Sequence, residues 1–226
     1  MSERERYILQ LVIEDVVRTS EPVGSQYLVE KYDLDISSAT VRNVFMLLEQ
    51  RGYLTHPHTS AGRIPTEKGY RFYLQELMRY RELRAREQLA LKNAQSFDAL
   101  ARTVAEMTSS ILMIMNSSTR VPYKTGFSYL LAQPEFSDSA LLSRVGAMLD
   151  DLGEIVGRLD VSAFSSPTAL IGPECPFGEH CGSVFVRLPN GGIAGVLGPI
   201  RMDYARAYSV LNDAKDLFDE FDTYDE

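Results

Sequence analysis

The chain has 226 residues, 45% of them hydrophobic and 24% charged, enough for packed cores and too apolar for a disordered chain. Its 23 Lys and Arg against 31 Asp and Glu give a formal net charge of −8, which taken as a whole argues against a polyanionic partner. No aliphatic run approaches the ~18–20 residues of a membrane span, and Met1–Arg6 lacks a signal-peptide apolar core. With two cysteines, this predicts a soluble cytoplasmic protein that uses neither a membrane nor a disulfide framework.

The elements begin with a capping box at Ser2 and Glu5. Ile8, Leu11, Val12 and Val16 follow at helical spacing, and this helix should end near Thr19, before Glu21-Pro22. Gly24-Ser25 opens a short second helix. Ser37-Ser38 caps a third, which runs to about Arg51, and Gly52 stops it. Tyr53–Thr55, a loop over 56–62 and Arg63–Thr66 read as strand, exposed loop and strand. Thr66 caps a further helix carrying Tyr70, Phe72, Tyr73 and Leu77. Three short helices and a small hairpin is the order of a winged helix-turn-helix.

From Leu77 to Met115 the pattern reads as helical throughout, with Leu100, Val104, Met107, Ile111, Leu112 and Met115 as an apolar stripe. The stripe is either a core-facing surface or a dimer seam. Beyond a break at Asn116–Pro122, Gly126–Ala132 reads as a strand and Ser137–Leu159 as a helix. Ala169–Ile171 is a short strand. Ser183–Leu188 and Ile193–Leu197 flank Pro189-Asn-Gly-Gly192 as a hairpin, and Asp203 caps a final helix before an acidic tail. The predicted fold class is α+β. Residues 1–76 form a winged helix-turn-helix DNA-binding domain, 77–118 a helical connector with a candidate dimer contact, and 119–226 a mixed α/β domain.

At 100° per residue, the third helix places Val41, Val44, Phe45 and Leu48 on one face, for packing. Ala39, Arg42, Asn43, Met46 and Gln50 fall on the other. Arginine pairs with guanine, asparagine with adenine, and an alanine methyl meets a thymine methyl, so this face suits a major groove. Ser37, Ser38 and Thr40 lie at the helix N-terminus, where hydroxyls and free N–H groups favour a phosphate. In the loop, small residues Thr59, Ser60, Ala61 and Gly62 allow close backbone approach. His58 offers a phosphate contact and Arg63 supplies charge. The charge distribution agrees. Residues 37–86 hold nine basic and four acidic side chains, a net of +5, whereas residues 87–226 carry a net of −9. The alternative is that both are ordinary solvated helical faces.

The segments Glu21-Pro-Val-Gly-Ser25, Ser37-Ser-Ala-Thr-Val-Arg-Asn43, Arg51-Gly-Tyr-Leu54, Pro57-His-Thr-Ser-Ala-Gly-Arg-Ile-Pro-Thr66 and Lys68-Gly-Tyr-Arg-Phe-Tyr73 closely resemble the bacterial heat-inducible transcription repressor family HrcA. Leu130-Leu-Ala-Gln-Pro-Glu-Phe136, Leu170-Ile-Gly172 and Gly195-Val-Leu-Gly-Pro-Ile-Arg-Met-Asp-Tyr204 extend the resemblance. It implies a winged helix joined to a GAF-like domain, and a homodimer that represses chaperone genes from an inverted-repeat operator in double-stranded DNA. It also implies dependence on a GroEL-type chaperonin for the active fold. Family members carry considerably more sequence between the winged helix and the Gln-Pro-Glu-Phe motif than the roughly fifty residues between Tyr73 and Gly126 here. This chain therefore reads as a shortened member, with part of the GAF-like sheet reduced and dimer contacts falling to the Leu100–Met115 stripe.

Cys175 and Cys181 with His180 lack a fourth ligand for zinc and read as loop or buried thiols. Arg201 and Asp203 read as a helix cap with a local ion pair, or as an effector or inter-domain contact. No phosphate loop, nucleophile elbow or carboxylate pair stands out, so neither an enzyme nor a cofactor is expected. The alternative function is a ligand-sensing regulator whose C-terminal domain binds a small effector.

Overall fold

In a computed structural model of the chain, which describes residues 1–57, 62–116 and 122–222, helix α1 (Glu3–Thr19) starts at the expected capping box. The Ser2 N–H donates to Glu5 Oε2 at 2.9 Å and the Glu5 N–H to Ser2 Oγ at 3.2 Å. Helices α2 (Ser25–Tyr32) and α3 (Ser38–Gln50) follow, then an antiparallel pair, β1 (Leu54–Thr55) and β2 (Ile64–Pro65). Helix α4 (Glu67–Phe72) is capped by Thr66, whose Oγ1 accepts from the Gly69 N–H at 3.1 Å, and it widens into a π-type turn over Tyr73–Leu77. These elements make the first of two units, Met1–Met78.

The core of this unit is Ile8, Leu9, Val12 and Ile13 of α1, Leu28 of α2, Val41, Phe45 and Leu48 of α3, and Leu54. A buried carboxylate joins α1 to α2. Asp15, with its side chain fully buried, accepts at Oδ1 from Lys31 Nζ at 2.5 Å, from the Tyr32 hydroxyl at 3.1 Å and from Arg18. Burial, reinforced by Asp15, pushes the Tyr32 hydroxyl up to about 12.

The second unit is Arg79–Glu226. Its helices α5 (Ala85–Lys92) and α6 (Phe97–Thr108) lead into strand β3 (Ile111–Met115). Strand β4 (Tyr123–Thr125), helices α7 (Phe127–Leu131), α8 (Ser139–Asp150) and α9 (Leu152–Gly157), and strand β5 (Thr168–Ile171) come next. A hairpin of β6 (Cys181–Arg187) and β7 (Ile193–Pro199) and helix α10 (Tyr204–Asp222) complete it. The five strands form one antiparallel sheet in the order β4-β3-β7-β6-β5. A mixed α/β unit of this kind is consistent with a GAF-like domain.

Period-two alternation divides the sheet's side chains between two layers. Ile111, Met113, Cys181, Phe185, Ile193 and Leu197 face a core shared with Leu130, Phe136, Val145, Leu149, Leu152, Val156, Phe164 and Phe177. The alternate positions, among them Leu112, Ile114, Val184, Val186 and Val196, are equally buried on the side where α6 and α10 pack together.

The expected helix from Leu77 to Met115 is corrected here. Helix α6 is capped at Ser109, whose φ of 50° is left-handed, and after Ser110 the next five residues are strand. The apolar run Ile111–Met115 mimics a helical stripe because β3 is covered on both faces, so it shows no alternation. Leu100, Val104, Ile111 and Leu112 are all 0% exposed inside their own unit. The stripe is core, not a free dimer seam, and the residues expected to be a connector supply one of the sheet's central strands. Gly126–Ala132 is likewise not a strand. Strand β4 precedes it, Gly126 turns the chain at φ 90°, and α7 follows. Ser137–Leu159 is not one helix but two, α8 and α9, joined at Asp151.

Candidate nucleic-acid interface

Helix α3 buries Val41, Val44, Phe45 and Leu48 and exposes Ala39, Arg42, Asn43, Met46 and Gln50, the division its periodicity predicts. Leu47, at 41% exposed, joins Met46, at 46%, on the open side, so this surface offers apolar contacts beside polar ones. Arg42 and Asn43 are exposed and make no ion pair among the described residues. At the N-terminus, Ser37 Oγ accepts from the Thr40 N–H at 3.2 Å and lies 3.0 Å from the Thr40 hydroxyl. Ser37 therefore caps the helix, while Ser38 and Ala39 lie in the first turn, where N–H groups lack helical partners.

Beyond α3, residues 62 and 63 are held from two sides. The Val23 N–H donates to the Arg63 carbonyl, and the Arg63 N–H to the Val23 carbonyl, both at 2.9 Å. A Cβ on Gly62 would stand 2.4 Å from the Val23 backbone, so only glycine permits this approach. The Arg63 guanidinium is paired within the unit. Its Nη2 lies 2.9 Å and its Nε 3.1 Å from Glu49 Oε2, and the side chain is only 20% exposed. His56 Nδ1 bonds the other oxygen of Glu49. The charge expected of Arg63 is thus carried by a side chain paired with the end of α3. His58, Thr59 and Ser60 lie outside the described residues.

The sequence did not announce Glu49 as a centre. Its two partners are 7 and 14 residues away, and no motif links them. The signal that could have found it is an acid at the end of a helix facing two basic residues that flank a loop. Partial burial acts to raise the Glu49 pKa, but the His56 hydrogen bond and the Arg63 charge outweigh it, holding the carboxyl below its usual 4.5. Glu5 is also held low, chiefly by the Ser2 N–H and then by Arg51, which lies 2.7 Å away. Both folded values are depressed, so the stability they contribute is fully present above about pH 4.5 and is lost as pH falls through the folded values. Thermal melts should therefore hold from pH 7 to pH 5 and drop below that. In Glu49→Gln the drop should be shallower.

In the second unit two motifs singled out in the sequence meet. Arg201, 8% exposed, donates from Nε to Glu135 Oε1 at 2.5 Å and from Nη2 to Glu135 Oε2 at 3.0 Å and Gln133 Oε1 at 2.8 Å. Its ion pair is thus distant in sequence rather than local. Asp203 does cap, accepting from the Arg206 N–H at 3.0 Å. Cys175 and Cys181 are buried. Burial raises both thiols, Cys181 to about 12, so they stay protonated and pack as small apolar groups. A cleft of about 600 Å³ lies beside Met115, Val161 and Ile193, and the Glu154–Arg158 ion pair borders it.

Residues 66–207 match the family model described as the HrcA protein C-terminal domain. The chain belongs to the HrcA family. It is 40% identical over 141 residues to the heat-inducible transcription repressor HrcA of Acetivibrio thermocellus, covering 62% of this chain and 38% of that protein. The HrcA of Thermomicrobium roseum is 34% identical over 183 residues, covering 77% of this chain and 53% of the relative. The chain thus spans about half or less of the length of these curated HrcA proteins. A crystal structure described as a hypothetical protein has a TM-score of 0.74 at 18% identity, covering 98% of this chain and 97% of that one, which shows a shared fold.

Proposed function

We propose that this chain is a cytoplasmic, sequence-specific DNA-binding repressor of heat-shock chaperone genes, and that it acts as a homodimer on an inverted-repeat operator. In this reading Met1–Met78 is a winged helix-turn-helix, α3 is its recognition helix and the second unit is the GAF-like domain. A GroEL-type chaperonin is the further partner that family membership suggests. The observation that carries the reading is the open face of α3, where Arg42 and Asn43 stand exposed on a helix whose opposite face is locked into the core. A two-fold dimer would set two such helices a whole number of DNA turns apart, in steps of about 34–36 Å, matching the operator's dyad.

The test is a gel shift on duplex DNA carrying an inverted repeat, against a scrambled duplex, across salt concentrations. Operator binding roughly a thousandfold tighter than scrambled is expected, with both weakening as salt rises. Equal affinity for the two duplexes would refute sequence-specific repression. Light scattering tests the dimer; Leu100, Val104, Ile111 and Leu112 are buried in their own unit, which favours contacts from other surface.

A further inference from the structure

We infer that Glu49 is a positioning residue for DNA binding, tying the recognition helix to both stems of the loop that follows it. This rests on the DNA-binding reading above. Glu49 sits at the end of α3, one turn beyond Met46 and two turns beyond Arg42 on the flank of the exposed face, and its carboxylate meets the two residues that bracket the hairpin loop. One carboxylate oxygen takes His56, which leaves β1, and the other takes Arg63, which enters β2. The two residues bracket the loop, so a single side chain fixes where the loop departs and returns relative to α3. The backbone ladder between Arg63 and Val23 fixes the second stem from the other side. Arg63 thereby acts through geometry, not as a phosphate ligand.

A carboxylate beside a DNA-binding surface should by charge alone repel the polyanion, so removing it should tighten binding. Positioning demands the reverse, and the two are separable. In Glu49→Gln, of nearly the same volume, specific operator affinity should fall roughly tenfold, as expected when hydrogen bonds to a charged group are weakened, while scrambled DNA is bound no more weakly. In Arg63→Ala operator affinity should fall comparably, with the slope of log affinity against log salt unchanged. A phosphate contact would instead reduce that slope by about 0.9. The double variant should be no worse than Glu49→Gln alone, because that change already weakens the link that Arg63→Ala removes.

Operator binding in Glu49→Gln as tight as wild type or tighter, or a reduced salt slope in Arg63→Ala, would overturn the inference while leaving the DNA reading intact. Failure of the wild-type chain to prefer the operator overturns both. If Glu49→Gln does not fold, by circular dichroism, the salt slope of Arg63→Ala decides.

Discussion

Replacing Arg42 and Asn43 together with alanine is expected to lower affinity for the specific operator by about 2–5 kcal/mol and to leave binding to scrambled DNA nearly unchanged. Each base-reading pair contributes about 1–3 kcal/mol of discrimination, and neighbours on one helix face are not strictly additive. The fold should tolerate the change, because both side chains are exposed and the packing face of α3 lies opposite. A fluorescence anisotropy titration at fixed salt measures the loss, and a melt confirms that the unit is intact. The single variants should relax the sequence choice at different positions of the half-site. Unchanged operator affinity in the double variant would remove α3 as the reading element.

The second large effect lies in the other unit. Leu100→Ala should destabilise it by about 2–5 kcal/mol, the cost of lost apolar burial plus a residual cavity. Leu100 is 0% exposed on α6, the helix that packs with α10 against β3. Were the stripe an exposed dimer seam, the same variant would weaken self-association and leave the denaturation midpoint of the dilute protein unmoved. Urea titrations at two protein concentrations separate these outcomes. The core reading requires a large midpoint shift at both, and a shift found only at the higher concentration would restore the seam.

The contrast between these two sites explains what the sequence could tell. In the first unit, caps, periodicity and the core share one local code. Ser2 with Glu5, Ser37, Thr66 and the Val41–Leu48 face are each set by residues within a few positions, and each appears in the structure as read. In the second unit the decisive partner is remote. Ile111–Met115 is apolar at every position, and only pairing with β7 and β4, with helices on one side and a second core on the other, makes it a strand. The open face of α3 was legible for the same reason as its buried face. The Glu49 link was not, because it joins three residues brought together by the hairpin. Arg201 with Glu135 failed likewise, since a salt bridge across 66 residues leaves no periodic trace.

The pairing of β3 bears on how the chain reaches this state. Ile111 aligns with Leu197 and Met115 with Ile193, so the strand's longest ladder forms only after most of the second unit has been made. Contacts so remote in sequence close slowly, because the intervening loop must lose its entropy first. Meanwhile Ile-Leu-Met-Ile-Met stands uncharged with both edges open, the composition that seeds association between unfinished chains. Recovery of folded protein from denaturant should therefore fall as concentration rises, measured by soluble yield, and a compartment that isolates one chain at a time would restore it.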